Sequence, residues 1–292
     1  MGDTLLGKKL SKGESAMNFR DRIGADVGNK IAIEEAIVWA AAKQVRYIDV
    51  RIDTPPNALE SFDEARCKGV REACARHDIH LGLHTSSAVN TAEIAPFLRD
   101  GAEAYLRGYI DAAARLKAEW VDVHAGLHFT ADKPARMEAG RDRLKRAAAY
   151  AEEKGVLLLL ENLNWEPDMA EVHYLAHNVE ECRYYFDAIK SPAFKWTFTA
   201  NHAHLVPEGI DGFLDNMDMS RCYEVRLADC WGTHEEHLVP GQGNLDFVHL
   251  FRRLEKIGFK GHFMNAFGTI DDRANSRDFL TDRAREAGVV GA

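Results

Sequence analysis

The amino-acid sequence predicts an α/β protein built as a (β/α)8 TIM barrel, with residues 19–292 forming one domain. Three observations carry that expectation. Eight short apolar runs recur along the chain, each followed by a longer amphipathic stretch. No shift in composition divides the chain. Histidines, carboxylates and amides collect where the apolar runs end. Strands that alternate with helices make a parallel sheet, because parallel neighbours need a long crossover. Eight such units close a barrel, and the 292 residues suit one domain of that kind. The rival is an open doubly wound sheet. No Gly-x-Gly-x-x-Gly follows the first strand, which argues against that fold and against a nucleotide cofactor.

In chain order, a strand is expected at residues 23–27 and a helix at 32–43. Strand 46–50 leads into helix 59–76, and strand 79–84 ends on His84 before helix 92–117. Strand 120–124 ends on His124; helix 133–154 stops at Lys154-Gly155, a cation in the last turn followed by glycine. Strand 156–161 runs through Leu157, Leu158, Leu159 and Leu160 to Glu161. A long loop holding Trp165, His173 and His177 then reaches helix 178–189, and reads equally as a lid or a surface excursion. Strand 194–198, helix 209–217, strand 223–227, helix 245–257, strand 262–265 and helix 274–287 complete the series. Residues 1–18 are expected to be a flexible leader. They lack an apolar signal core, and Leu6 stands where a myristoylation signal wants Ser or Thr.

The charge balance excludes some functions. Acidic residues outnumber basic ones 46 to 37, a net charge of −9 whose field opposes a polyanion. Five cysteines, an odd number without a Cys-x-x-Cys pair, suggest reduced thiols and a cytoplasmic protein. No apolar run approaches the ~20 residues of a membrane span.

In a (β/α)8 barrel the C-terminal strand ends form the mouth where chemistry occurs. The residues there are His84 with Asn90, His124 with His128, Glu161 with Asn162 and Asn164, and then Thr199, Asn201, His202 and His204. Arg226, Asp229, His234, Glu235, His237 and Asn265 follow. Any one of them alone reads equally well as a residue satisfied by a backbone carbonyl. Together, several imidazoles and a carboxylate are costly to desolvate unless they pair, bind a ligand or hold a metal. His77, His80 and His249 lie in helices or at a strand start and read as structural.

Five segments, in this order and spacing, carry a resemblance. They are Leu83-His84 with Asn90, Val123-His124-Ala125-Gly126, Leu160-Glu161-Asn162, Asn201-His202-Ala203-His204, and His237 through Phe247. They resemble the xylose-isomerase-like superfamily, which joins sugar isomerases and epimerases with endonuclease IV, over residues 19 to 283. The resemblance implies a divalent metal in the mouth. In the single-metal isomerases it is held by a Glu after the fifth strand, an Asp after the sixth, a His on the seventh and a Glu on the eighth. Here those positions hold Glu161, Thr199, Arg226, and Asn265 or Ala266. Three ligands are gone, and Arg226 is a permanent cation, so a metal is not expected in that place. The endonuclease-type ligands correspond to His84, His124 and Glu161 in one set and to His202, Glu235 and His237 in another. The resemblance therefore offers His84, His124, Glu161 and His237 as ligands for Zn, Mn or Mg. It leaves equally open that these residues bond to one another with no metal.

The chemistry that follows is proton abstraction next to the carbonyl of a small polar substrate, as in a sugar isomerase, an epimerase, or a derived lyase or dehydratase. Glu161, His124, His202 and Arg226 are the catalytic candidates, with Arg226 holding an enolate, carboxylate or phosphate oxygen. Asn164, Thr199, Asn265 and Trp165 are the substrate-binding candidates. Two alternatives stand beside this reading: an endonuclease IV-like DNA repair hydrolase, and a non-catalytic barrel that binds or serves as a subunit. Partners are expected to be small molecules rather than nucleic acid or membrane, and homo-oligomerisation is compatible with the resemblance.

Overall fold

Ten strands, ten α-helices and three short 3-10 turns follow one another along the described part of the chain. The strands are β1 (Ile23–Gly28), β2 (Tyr47–Val50), β3 (His80–His84), β4 (Trp120–Val123), β5 (Leu127–Phe129), β6 (Leu157–Glu161), β7 (Val172–Tyr174), β8 (Phe194–Thr199), β9 (Cys222–Leu227) and β10 (His262–Asn265). The helices are α1 (Ile33–Ala42), α2 (Glu64–His77), α3 (Leu98–Leu116), α4 (Lys133–Lys154), α5 (Val179–Ala188), α6 (Ala200–Ala203), α7 (Gly209–Asn216), α8 (Phe247–Ile257), α9 (Ile270–Asn275) and α10 (Arg277–Glu286). The computed structural model describes residues 18–292; residues 1–17, nearly all of the expected leader, lie outside the described residues.

Eight parallel strands pair in the order β1-β10-β9-β8-β6-β4-β3-β2 and close on themselves, the barrel expected from the sequence. Each expected strand is present within one residue at either end. The expected helix 274–287 is two, α9 and α10, which meet at Ser276, where the hydroxyl donates to the Asp272 carbonyl at 2.7 Å. An unexpected antiparallel pair, β5 with β7, joins the loop after β4 to the long loop after β6. None of the five cysteines is bonded to another. Among the described residues no helix is long and apolar enough to cross a membrane.

Period-two alternation divides each strand between two environments. One phase, including Ile48, Val50, Leu81, Leu83, Val121, Val123, Leu158, Leu160, Val225 and Leu227, joins the helices in one large apolar cluster. The opposite phase faces the barrel axis, where Trp120, Leu159 and Met264 form a separate small apolar cluster. Gly82 makes room for the Trp120 indole, which a Cβ at that position would strike. Near this layer the Tyr47 ring stacks between His80 and His262, with both centroid distances 4.5 Å.

The middle of the barrel is charged, where branched apolar side chains usually fill the interior. Arg226 is 2% exposed, and its guanidinium is surrounded by carboxyls. Nη1 donates to Asp49 Oδ2 at 2.7 Å, Glu224 Oε1 at 3.0 Å and Asp122 Oδ2 at 3.2 Å; Nη2 donates to Asp26 Oδ2 at 2.5 Å. Four carboxyls around one cation are tolerable only if some hold protons. Burial pushes Asp49 up to about 7 against the pull of Arg226, and burial together with the Glu224 charge raises Asp122 well above its usual range. Asp26 stays ionised: Arg226 and His84 outweigh the effect of burial.

A pH dependence follows. Because the folded-state value of Asp49 lies above its ordinary 3.8, its contribution to stability is full below that value and is lost as pH rises toward about 7. Asp49→Asn removes this titration. Relative to the variant, the wild type should lose up to about 1.4 kcal/mol of stability per pH unit across that window and then level off. Thermal midpoints of both proteins from pH 4 to 8 check this; parallel curves contradict it.

Candidate active site

Six polar side chains from different strand ends meet at the barrel mouth. Asp26 comes from β1, His84 from the end of β3, His124 from just after β4, Glu161 from the end of β6, and His202 from the short α6 that follows β8. The sixth, His237, is brought in by the loop after β9, which is organised around Asp229. Asp229 Oδ1 accepts from the Cys230 and Leu245 amides at 2.9 and 3.0 Å, and Oδ2 accepts from the Gly241 amide at 2.8 Å. A Cβ on Gly243 would collide with Asp229 Oδ1 and the Cys230 carbonyl. This explains the spaced glycines after His237, whose Nδ1 donates to the Ala266 carbonyl at 2.5 Å. All six line one cavity of about 260 Å³.

Three of these side chains converge. His84 Nε2 lies 3.2 Å from His124 Nε2, which lies 3.2 Å from Glu161 Oε2; His84 Nε2 is 3.7 Å from the same oxygen. Two imidazole nitrogens face each other with a carboxylate at the third corner. The separations fit one first-row ion, since tetrahedral ligands with bonds of ~2.0–2.1 Å stand ~3.4 Å apart. On the far sides of the rings, His84 Nδ1 faces Asp26 Oδ2 at 3.4 Å, an ion-pair distance without a hydrogen bond, and His124 Nδ1 is 3.5 Å from Thr85 Oγ1. Groups placed there orient ligating imidazoles. Burial lowers His124 against the opposing pull of Glu161, so its ring is neutral. Burial alone would raise Glu161, but the His124 hydrogen bond and the Arg226 and His202 charges hold it well below the usual range.

The second set, His202, Glu235 and His237, is a separate group. His202 Nδ1 donates to the Asn162 carbonyl at 2.8 Å, which turns Nε2 toward Glu235 Oε1 at 3.1 Å. His237 Nε2 meets the same oxygen at 2.5 Å, and Glu235 Oε2 is buried with no partner. Burial opposes the charged form of both His202 and Glu235, but their mutual attraction wins. It raises His202 to about 9 and lowers Glu235 to about 2. His202 Nδ1 is 3.7 Å from Glu161 Oε1, so the two sets adjoin. Two further acidic groupings, Asp26–Asp49–His84 and Asp49–Asp122–Glu224, surround Arg226, which supplies their positive charge.

Not all of the expected site residues reach the cavity with a free polar group. Arg226 borders the cavity, but both guanidinium Nη atoms are committed to carboxyls, so it is not free to hold a substrate oxygen. Thr199 donates to Glu161 Oε1 at 2.5 Å and is not among the cavity-lining residues. Asn265 shares the outward phase of Phe263, and its Nδ2 donates to the Arg273 carbonyl at 2.7 Å; the lining residue is its neighbour Ala266. Trp165 packs against the core outside the cavity. Of the four substrate-binding candidates only Asn164 lines the cavity, and its Nδ2 donates to Glu166 at 2.6 Å. His237 belongs with His202 and Glu235 rather than with the His84 group. Of the other mouth residues, Asn90 braces the loop after β4 through the Leu127 backbone, and His128 stacks on His173. The sequence reading missed Asp26, Arg51 and Arg273, all of which line the cavity. Asp26 and Arg51 carried a signal: each is charged and follows an apolar strand residue at the mouth end.

The model of the xylose isomerase-like TIM barrel family matches residues 37–282. An uncharacterized protein of Methanocaldococcus jannaschii is 25% identical over 224 residues, which span 74% of this chain and 73% of that protein. A D-tagatose 3-epimerase-like protein superposes with a TM-score of 0.77 at 20% identity, covering 91% of this chain and 98% of its own. D-psicose 3-epimerase of Clostridium cellulolyticum H10, solved with D-tagatose, gives 0.71 at 18% identity, covering 91% and 96%. The 3-keto-D-glucoside 4-epimerase of E. coli gives 0.69 at 15%, covering 90% and 99%. At these identities the likeness to solved structures is one of fold. Through the family match, which takes in all six converging side chains except Asp26, the chain belongs to the xylose isomerase-like TIM barrel family.

Proposed function

We propose that the protein is an enzyme of the sugar isomerase or epimerase kind, moving a proton at the carbon next to a carbonyl of a small polyhydroxylated substrate. The convergence of His84, His124 and Glu161 on one cavity carries this reading. The sugars handled by the structurally similar epimerases support the substrate class. His84, His124 and Glu161 would hold a divalent first-row ion, which when bound supplies Lewis-acid polarisation of the substrate carbonyl. Two imidazoles favour Zn over Mg or Mn, which prefer oxygen ligands.

The protein's own groups then divide the work. His202, held protonated by Glu235 at the cavity wall, is the proton donor, its Nε2 exchanging the Glu235 contact for the substrate oxygen. Glu161, beside it at 3.7 Å, is the carboxylate that takes the carbon-bound proton. A neighbouring acid and base in opposite protonation states is the arrangement that one proton in and one proton out requires. Incubation with a panel of ketoses in D2O, with Zn or Mn supplied, should show deuterium entering the carbon beside the carbonyl. Absence of exchange into every ketose of the panel rejects the reading.

A further inference from the structure

One sector of the cavity wall carries positive charge that the protein does not neutralise. It is formed by the ends of β10, β1 and β2, which are neighbours in the barrel. Arg51 follows β2 directly and lines the cavity. Among the described residues its guanidinium has no hydrogen-bond or ion-pair partner. Its charge is close enough to help lower His124. Asp53, two residues on, is engaged elsewhere: its oxygens accept from the Tyr105 and Tyr109 hydroxyls at 2.5 and 2.9 Å.

Arg273 also lines the cavity and is 8% exposed. It donates to the Phe267 carbonyl at 2.6 Å, the Gly268 carbonyl at 3.3 Å and the Asp26 carbonyl. Among the described residues no carboxylate lies within ion-pair distance of it. Lys30 donates to the same Gly268 carbonyl at 2.9 Å, so two cations share one acceptor. Burial and the nearby Arg273 charge both push the Lys30 ammonium down from its usual value. Asp26, the carboxylate on this wall, is already bound to Arg226 Nη2 at 2.5 Å. The chain holds nine more acidic than basic residues, 46 against 37, so unpaired cations here do not reflect a shortage of anions. A buried or cavity-facing cation without a counter-charge is costly unless a ligand supplies one.

We infer that this sector is an oxyanion subsite. The substrate carries a carboxylate or phosphate that binds Arg51, with the Arg273 charge on the same wall favouring it, leaving its carbonyl end to His84, His124 and Glu161. The reacting end rests on the function proposed above; the anion subsite does not. At about 260 Å³ the cavity lies just below the usual ~300–1,000 Å³ of ligand sites, which suits a sugar acid or sugar phosphate rather than a nucleotide.

Isothermal titration calorimetry on the full chain at fixed ionic strength tests this, with D-fructose, D-fructose 6-phosphate and 5-keto-D-gluconate as probes. One anionic ketose should bind at least about tenfold more tightly than D-fructose, and Arg51→Gln should erase that preference at equal metal content. Preference for the phosphate identifies a sugar phosphate as the substrate class, and preference for the keto acid a sugar acid. Equal affinities for all three, no binding by any, or a preference that survives Arg51→Gln overturns the subsite. An Arg51-dependent preference without deuterium exchange keeps the subsite and rejects the proposed reaction instead.

Discussion

Replacing Arg226 by methionine is expected to lower the thermal midpoint at pH 7 by about 10 °C. Methionine keeps much of the side-chain volume, so the loss is chiefly of charge. Arg226 is the guanidinium shared by Asp26, Asp49, Asp122 and Glu224, and it is buried with them. Breaking a buried ion cluster by removing one partner costs about 3–5 kcal/mol, because the remaining charges are left without compensation. For a chain of this size each kcal/mol moves the midpoint by about 2–4 °C. The penalty should be smaller at pH 5 than at pH 8, because the orphaned carboxyls can then take up protons. Differential scanning calorimetry at the two pH values reads both effects. An unchanged midpoint would mean that the cage contributes nothing.

Glu161→Gln is expected to slow deuterium exchange into the substrate by about 10²–10⁴-fold, the usual contribution of a positioned acid or base. Glutamine keeps the shape and can still accept from Thr199 Oγ1, which lies 2.5 Å from Glu161 Oε1. It cannot take a proton, and its amide is a poor metal ligand. Thr199→Val, which exchanges the hydroxyl for a methyl group, should cost far less, because it leaves both the carboxylate and the imidazoles in place. Exchange by Glu161→Gln within tenfold of the wild type would remove Glu161 from the chemistry.

The barrel and the mouth were legible in the sequence for one reason: strand ends and helix stops are local features. The expected site residues that lie off the cavity do so because of the barrel's cross-section, which is not local. Asn265 sits one residue out of phase with His262, Met264 and Ala266, so it turns from the axis toward Arg273. Thr199 shares the inward phase of Thr197 but is drawn onto the Glu161 carboxylate of adjacent β6. The substitution at Arg226 was visible, but its partners come from four strands. A signal for them existed. Ile48-Asp49-Val50 and Val121-Asp122-Val123 each place an acid inside an apolar run, and a buried acid there requires a cation from across the barrel. Arg273 gave no comparable signal, since it lies within α9, at a place the sequence suggested only as the approach to a helix.

The proposed reaction places a metal at His84, His124 and Glu161, while Arg226 occupies the interior beside them. Crystals grown with Zn and measured at the zinc absorption edge test it most directly. An anomalous peak is expected bounded by His84 Nε2, His124 Nε2 and Glu161 Oε2, and none beside Thr199, Arg226 and Asn265. No peak at the first place, or a peak at the second, would contradict it.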